Sequence, residues 1–318
     1  MISRRAMQSI WKRRTNSTNM CEPSLPSMRK PVHMPLDGSV APNDDQHIVD
    51  VLIEERAEHL RHRPYLWPVV RFLCKGVLGY TKAVAMVDSV QGMNGREIFD
   101  HMSKVLHLNV QTHGIEHIPN SGPALVTPNH PAGIADGIAV YDALKAKRGD
   151  MCFVANRDAI RAAEGLADVI IPVEWRVHER TPQKTRETVR AINHAFAEDR
   201  LVVIFPSGRL AEPTVRGLKE RPWQTTALSF ARRNDVPVIP MHIKGENTIF
   251  YYATWYINDE LKDMTLFREI LKKAGRPYTM RLGEPFAIQD RRDMSELTER
   301  LRSFVLNDLR NGTTRFEP

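Results

Sequence analysis

From about residue 108 onward, short apolar runs alternate with longer stretches in which apolar residues recur every three or four positions. The runs at 110–115, 124–127, 151–155, 169–173, 201–205, 236–243 and 279–282 read as strands. Several are continuous rather than alternating, Leu201-Val202-Val203-Ile204-Phe205 above all. That is the pattern of strands buried on both faces. Helical periodicity falls near 137–147, 157–165, 181–198, 223–233 and 263–274. A final helix over about 293–310 carries a stripe of Met294, Leu297, Leu301, Phe304, Val305 and Leu309. Strand and helix in alternation predict an α/β fold, with a mixed, mainly parallel sheet sandwiched by helices.

The first third of the chain follows a different pattern. Residues 1–44 contain Pro, Ser and Asn with little periodicity and read as a leader. Residues 45–108 read as helical, with Ile98, Phe99, Met102, Val105 and Leu106 at helical spacing after Gly95. The expected organisation is a leader over 1–44, a helical and membrane-facing segment over 45–108, and an α/β domain over 109–318. No run of about 20 uninterrupted apolar residues is present, so a spanning helix is not expected. The nearest candidate, 66–80, is punctuated by Arg71 and Lys75 and flanked by Trp67 and Tyr80. It fits an amphipathic helix lying on a bilayer and equally a helix packed on the core.

Charge changes the picture by its location. The chain carries +7 in all. Arg4, Arg5, Lys12, Arg13, Arg14, Arg29 and Lys30 against Glu22 place nearly all of it before residue 31. The body is close to neutral, which argues against a nucleic-acid partner. A basic leader attracts anionic headgroups or is simply solvated, and Met20, Met28 and Met34 are alternative starts. Cys21, Cys74 and Cys152 are few and widely spaced, so neither a disulfide framework nor a zinc site is expected. The basic N-terminus lacks the apolar core of a secretory signal.

The candidate chemistry lies in Asn129-His130-Pro131-Ala132-Gly133-Ile134-Ala135-Asp136-Gly137, directly after the apolar run at 124–126. A hydroxyl acceptor is a poor nucleophile until a positioned base takes its proton. An imidazole suits that task, and a carboxylate can fix its tautomer. Six positions apart on a regular helix, two side chains are turned by about 240° from each other. His130 and Asp136 therefore meet only if a turn intervenes, and Gly133 supplies the backbone freedom for one. Asp136 is also placed to cap the next helix, and His130 to bond the backbone of its loop. His113, His117 and His242 read as structural.

Three further blocks follow in order: Met151 to Arg157, ending a strand on an arginine; Phe205-Pro206-Ser207-Gly208-Arg209 after the next long apolar run; and Val236-Pro237-Val238-Ile239-Pro240. Together with the His-x5-Asp block they resemble the glycerolipid and lysophospholipid acyltransferases over roughly 108–286. Gly245-Glu246-Asn247-Thr248-Ile249-Phe250-Tyr251 is similar to the branch containing the hemolysin-like and ornithine-lipid enzymes. The resemblance implies a catalytic pair, with His130 as general base and Asp136 as its orienting carboxylate. Phe205, Pro206, Ser207 and Gly208 would shape the acceptor pocket. Arg157 and Arg209 would hold an anionic headgroup. The acyl donor would be a thioester on coenzyme A or acyl carrier protein, with no other cofactor and no metal. Membrane-surface lipids would be the partners, at the cytoplasmic inner face of the cell membrane.

Two departures stand out. Five residues separate His130 from Asp136, where the most familiar members have four. Ser207 stands where the third block usually carries glutamate, and Arg209 comes one position early, which puts glycerol-phosphate recognition in question. Two other readings remain at this point. One is a hydrolase using His130 to activate water; the other is a non-catalytic peripheral lipid-binding protein.

Overall fold

In the computed structural model the apolar runs become strands buried on both sides. Leu201 and Val203 enter one core while Val202 and Ile204 enter another, which is why residues 201–204 carry no polar side chain. The structure describes residues 46–76, 79–174, 176, 179–288 and 293–318. The leader, with its alternative starts, lies outside them.

Helices come first: α1 (Ile48–Arg56), α2 (Glu58–Arg61), α3 (Trp67–Gly76), α4 (Tyr80–Asp88) and α5 (Gly95–Leu106). Then follow β1 (Asn109–His113), β2 (Ala124–Pro128), α6 (Ile134–Leu144), β3 (Met151–Asn156), α7 (Asp158–Ala162), β4 (Ile170–Val173), α8 (Pro182–Ala197) and β5 (Leu201–Ile204). A hairpin of β6 (Glu212–Thr214) and β7 (Gly217–Lys219) precedes α9 (Thr226–Arg233) and β8 (Val238–Lys244). The chain ends in α10 (Ile249–Ile257), α11 (Asp259–Met264), α12 (Leu266–Leu271), β9 (Pro277–Leu282) and α13 (Met294–Phe304), which runs into a π-helical turn over Val305–Leu309.

Seven strands form one sheet in the order β1-β9-β8-β2-β5-β3-β4. All neighbours are parallel except β8 and β9, so β1 and β9 run against the other five. The sheet is mixed and mainly parallel, as the alternation of elements predicts. Ile98, Phe99 and Leu106 of α5 and Ile138, Ala139 and Leu144 of α6 cover one face. Ile192 and Phe196 of α8, Leu228 of α9 and Leu297 and Leu301 of α13 cover the other. Each such side chain taken from water contributes about 1.5–3 kcal/mol. β2 lies centrally, between β5 and β8. Its C-terminal end opens onto the crevice where α/β sheets bind their ligands.

Several elements differ from the sequence pattern. The helix read over 263–274 is two short helices, α11 and α12. α10 is unforeseen because its run from Ile249 to Ile257 shows little apolar–polar contrast; Thr248 starts it by accepting the Tyr251 N–H. The helix read over 157–165 stops at Ala162 and resumes as a 3-10 turn over Glu164–Asp168. The hairpin strands are too short to alternate. In segment 66–80, Val70 of α3 is buried against Met264 with Trp67 and Leu261 nearby, whereas Leu66, Val69 and Phe72 are exposed. Residues 77–78 lie outside the described set. Among the described residues no helix is long and apolar enough to cross a membrane.

Candidate active site

β2 ends at Pro128, and the chain departs from the sheet there. Asn129 holds the divergence: its Oδ1 accepts the Ile243 N–H at 2.6 Å and its Nδ2 donates to the Ile243 carbonyl at 3.0 Å. It supplies by side chain the pairing that the strands no longer make. Gly133, at φ +92, turns the next residues back into α6. That turn brings His130 and Asp136 together. His130 Nδ1 donates to Asp136 Oδ2 at 2.9 Å. The imidazole is 20% exposed and the carboxylate 0%.

Asp136 also does what a capping residue does. The same Oδ2 accepts the backbone N–H groups of Ala132 at 2.8 Å and Gly133 at 3.0 Å. One oxygen thus satisfies the start of α6, where a negative charge is favoured, and orients the imidazole.

A second buried carboxylate lies on the other side of the loop. Glu220, just beyond β7, accepts the His130 N–H with both oxygens at 3.2 Å. Its Oε1 also accepts the Trp223 indole N–H at 3.1 Å. Burial pushes its carboxyl above the usual range, against the pull of Trp223 and His130. The loop is further tied by the Ala211 N–H donating to the His130 carbonyl at 2.9 Å. Sequence reasoning missed Glu220, since Lys219-Glu220-Arg221 reads as a solvated charge run.

Behind Asp136 is a buried polar layer. The Tyr278 hydroxyl on β9 lies beside the carboxylate without closing a hydrogen bond of good geometry, and Asp136 Oδ1 has no partner among the described residues. Burial, then Asp136, push the phenol upward. Lys273, 1% exposed, donates from its ammonium to the Glu246 carbonyl and sits 5.9 Å from the Tyr278 ring centre. Burial pushes Lys273 down to about 8, while Asp136 and Glu269 oppose that.

The third block packs directly on this centre. The Phe205 ring lies 4.3 Å from the His130 ring, centre to centre. The Pro206 carbonyl accepts the Gln224 N–H at 2.8 Å, and buried Ser207 donates from Oγ to the Arg209 carbonyl at 2.8 Å. Gly208 turns the chain at φ +60, and the Arg209 side chain is exposed. Arg157 is placed otherwise: it starts α7 and pairs with Glu187 of α8 at 3.7 Å, its buried Nε unpartnered. His117 Nδ1 donates to the Leu282 carbonyl, and His242 is buried on β8, where burial pushes it down to about 4. Among the described residues, no three His, Cys, Asp or Glu side chains gather as a metal-holding group.

A loop imidazole with one nitrogen held by a buried carboxylate and a partly open ring is equipped to take and return a proton.

Residues 109–244 match the family model described as Acyltransferase. The chain is 24% identical over 233 residues to the lyso-glycine lipid O-acyltransferase of Phocaeicola vulgatus, covering 69% of this chain and 81% of that one. It is 22% identical over 233 residues to the lyso-glycine lipid O-acyltransferase of Bacteroides thetaiotaomicron, covering 69% and 84%. The crystal structure of the 1-acyl-sn-glycerophosphate (LPA) acyltransferase PlsC from Thermotoga maritima aligns with a TM-score of 0.44 at 15% identity, over 77% of this chain and 94% of that one.

Proposed function

We propose that this chain, which belongs to the glycerolipid and lysophospholipid acyltransferase family, moves a fatty acyl group from a thioester to the hydroxyl of a lysolipid with His130 as general base. The observation that carries the reading is the 2.9 Å bond from His130 Nδ1 to the buried Asp136. With Nδ1–H committed to the carboxylate, Nε2 is the nitrogen free to accept a proton.

The step follows from that tautomer. The acceptor O–H gives its proton to Nε2 as the oxygen attacks the thioester carbonyl carbon. The tetrahedral adduct collapses with loss of the C–S bond, and the departing sulfur takes the proton back from the imidazolium. Asp136 stabilises the imidazolium in between. The donor is an acyl thioester of coenzyme A or acyl carrier protein. Phe205, Pro206, Ser207 and Gly208 wall the acceptor side. Arg209, exposed at the turn, and Arg157, in a loose pair with half-exposed Glu187, hold the anionic headgroup.

The acceptor that fits best is a lysolipid whose headgroup ends in a carboxylate, with a lyso-glycine lipid as first choice. Two supports favour it. The relatives named above act, by name, on lyso-glycine lipid. Ser207 also stands in place of the glutamate usual in glycerol-phosphate enzymes.

Lipid substrates require a lipid surface, and two exposed apolar stripes suit one. Val69 and Phe72 of α3, with Tyr65 just before it, are exposed beside Arg71; Ile249, Tyr256 and Ile257 line the outer side of α10. The Tyr256 hydroxyl bonds the Pro213 carbonyl at 3.0 Å, joining α10 to the hairpin whose tip, Val215-Arg216, is wholly exposed. Apolar and aromatic residues edged by cations are the chemistry of an interfacial surface. The protein therefore works peripherally, at the inner face of the cell membrane.

The test is transfer of labelled acyl groups from palmitoyl-coenzyme A and palmitoyl-acyl carrier protein to lyso-glycine lipid, lyso-ornithine lipid and lysophosphatidate. Labelled diacyl product with wild type and none with His130→Ala is the expected result. Release of free fatty acid alone, or turnover that survives the mutation, overturns the assignment.

A further inference from the structure

The His130 loop is gripped from two sides by carboxylates that share no donor. Asp136 takes Nδ1–H and the N–H groups of Ala132 and Gly133; Glu220 takes the N–H of His130 itself. Glu220 is 5% exposed, and its oxygens accept the His130 amide and the Trp223 indole N–H, with the Ser207 hydroxyl also beside them. Two N–H donors aimed at its oxygens favour the ionised carboxylate over the neutral acid. Ser207, standing where the resembled family carries its glutamate, has its side chain beside Glu220. A buried carboxylate thus stands beside Ser207, reached from the far end of the β6–β7 hairpin.

We infer that Glu220 is a positioning residue of the acyl-transfer site, which fixes the His130 backbone and places a second buried negative charge beside the imidazole. The inference rests on His130 acting as the base. When the imidazole takes the acceptor's proton it becomes a cation between two carboxylates, both desolvated, so each stabilises it more than it would in water. The charged and titratable groups facing Glu220 are His130 from the β2–α6 loop, Asp136 behind the imidazole on α6, and Arg302 of α13, which feels the Glu220 charge. Arg302 is itself paired with Glu299, so it does not neutralise Glu220.

The test compares wild type, Glu220→Gln and Glu220→Asp. Glutamine keeps the shape but loses the charge, and it must turn an N–H₂ toward a donor. Glu220→Gln is expected to lower kcat about tenfold to a hundredfold, the range of a charge-assisted hydrogen bond, with KM within about threefold. The acid limb of kcat/KM should move to lower pH, because the imidazole has lost a negative neighbour that favours its protonated form. Glu220→Asp, which retains the charge on a shorter stem, should recover part of kcat and return the limb toward its wild-type position. Unchanged kcat and an unmoved limb in Glu220→Gln overturn the inference. A loss confined to thermal stability, equal in Gln and Asp variants, overturns it too and leaves Glu220 a packing residue.

An activity-independent readout separates this from the acyltransferase assignment. In histidine-labelled protein, the His130 ring signals should titrate at lower pH in Glu220→Gln than in wild type. A shift without any transferase turnover in wild type would sink the assignment while keeping the electrostatic coupling. Equal midpoints would sink the coupling whatever the activity.

Discussion

The Tyr278 ring occupies the space that a side chain on Gly245 would need: a Cβ there would fall 2.5 Å from Tyr278 Cε1. The smallest residue at 245 lets the phenol stand beside Asp136.

Gly245→Ala should therefore push Tyr278 against the carboxylate it adjoins. Overpacking of this kind lowers stability by about 1–3 kcal/mol. Turnover should fall by at least about tenfold, more than the loss of fold explains. Thermal melts and acyl-transfer rates on one preparation check both; wild-type rates would show that Tyr278 has no part in the site.

His130→Ala and Asp136→Asn should separate catalysis from stability. The first removes the proposed base, and turnover should drop by about 10²–10⁴ or more with the melting temperature nearly unchanged. The second removes the orienting charge; its oxygen can still accept the Ala132 and Gly133 amides, but its N–H₂ is then buried in the place of the unpartnered Oδ1. It should cost about 1–3 kcal/mol in addition to most of the activity. Denaturant titrations of both variants read the difference directly.

Lys273 makes stability depend on alkaline pH. Burial holds its folded-state value at about 8, below that of the unfolded chain. Between those two values the unfolded state binds more protons, so raising pH from about 8 to 9.5 should stabilise the fold. The slope is bounded by about 1.4 kcal/mol per pH unit. Lys273→Met should abolish that rise, as measured by urea midpoints across the window.

Arg148 should be the most costly single charge to remove. It is 4% exposed and donates to the carbonyls of Pro119, Gly122 and Asp199 and to both oxygens of Asp150. Arg148→Met leaves these acceptors without their donor, with an expected loss of about 3–5 kcal/mol. The guanidinium also holds the Asp150 carboxyl below its usual range, so this contribution is present at neutral pH and lost on acidification. Urea midpoints at pH 7 and at about pH 2.5, below the ordinary aspartate value, should show a smaller gap between wild type and variant at the lower pH.

Surface association should depend on the exposed stripes. Phe72→Ser with Tyr256→Ser and Ile257→Ser should reduce co-flotation with vesicles rich in anionic lipid several-fold. Transfer to a short-chain, micelle-free acceptor should stay near wild type, because none of the three lies in the His130 loop. Unchanged flotation would remove these stripes from the interface.

What the sequence discloses depends on whether a residue's role is local. β2, β5 and β8 are legible because burial on both faces leaves apolar runs, broken only by Thr127, His242 and Lys244, and the His130–Asp136 turn because Gly133 lies between them. Glu220, Lys273 and Tyr278 are not. Each sits among ordinary neighbours, Lys219 and Arg221, Lys272 and Ala274, or Pro277 and Thr279, and its burial follows from the tertiary fold. Arg157 reads as a headgroup ligand at a strand end, but its pairing with Glu187 is not legible, since no local pattern connects α8 with it. Asn129 is legible as part of a motif but not as a brace, since its partner Ile243 lies on β8.

The anchors of the His130 loop come late in the chain: Glu220 from the hairpin, the Ile243 backbone from β8 and Tyr278 from β9. The central strand leading into the loop likewise has both sheet neighbours downstream, with β8 among the last strands made. Parallel pairings across such separations form only when the distant partner exists. During synthesis, then, His130 and Asp136 emerge as a pair well before Glu220, Ile243 and Tyr278. A polypeptide stalled before β8 carries that pair without the strand that braces its loop, so the order of synthesis leaves the turn unsupported until the late strands arrive.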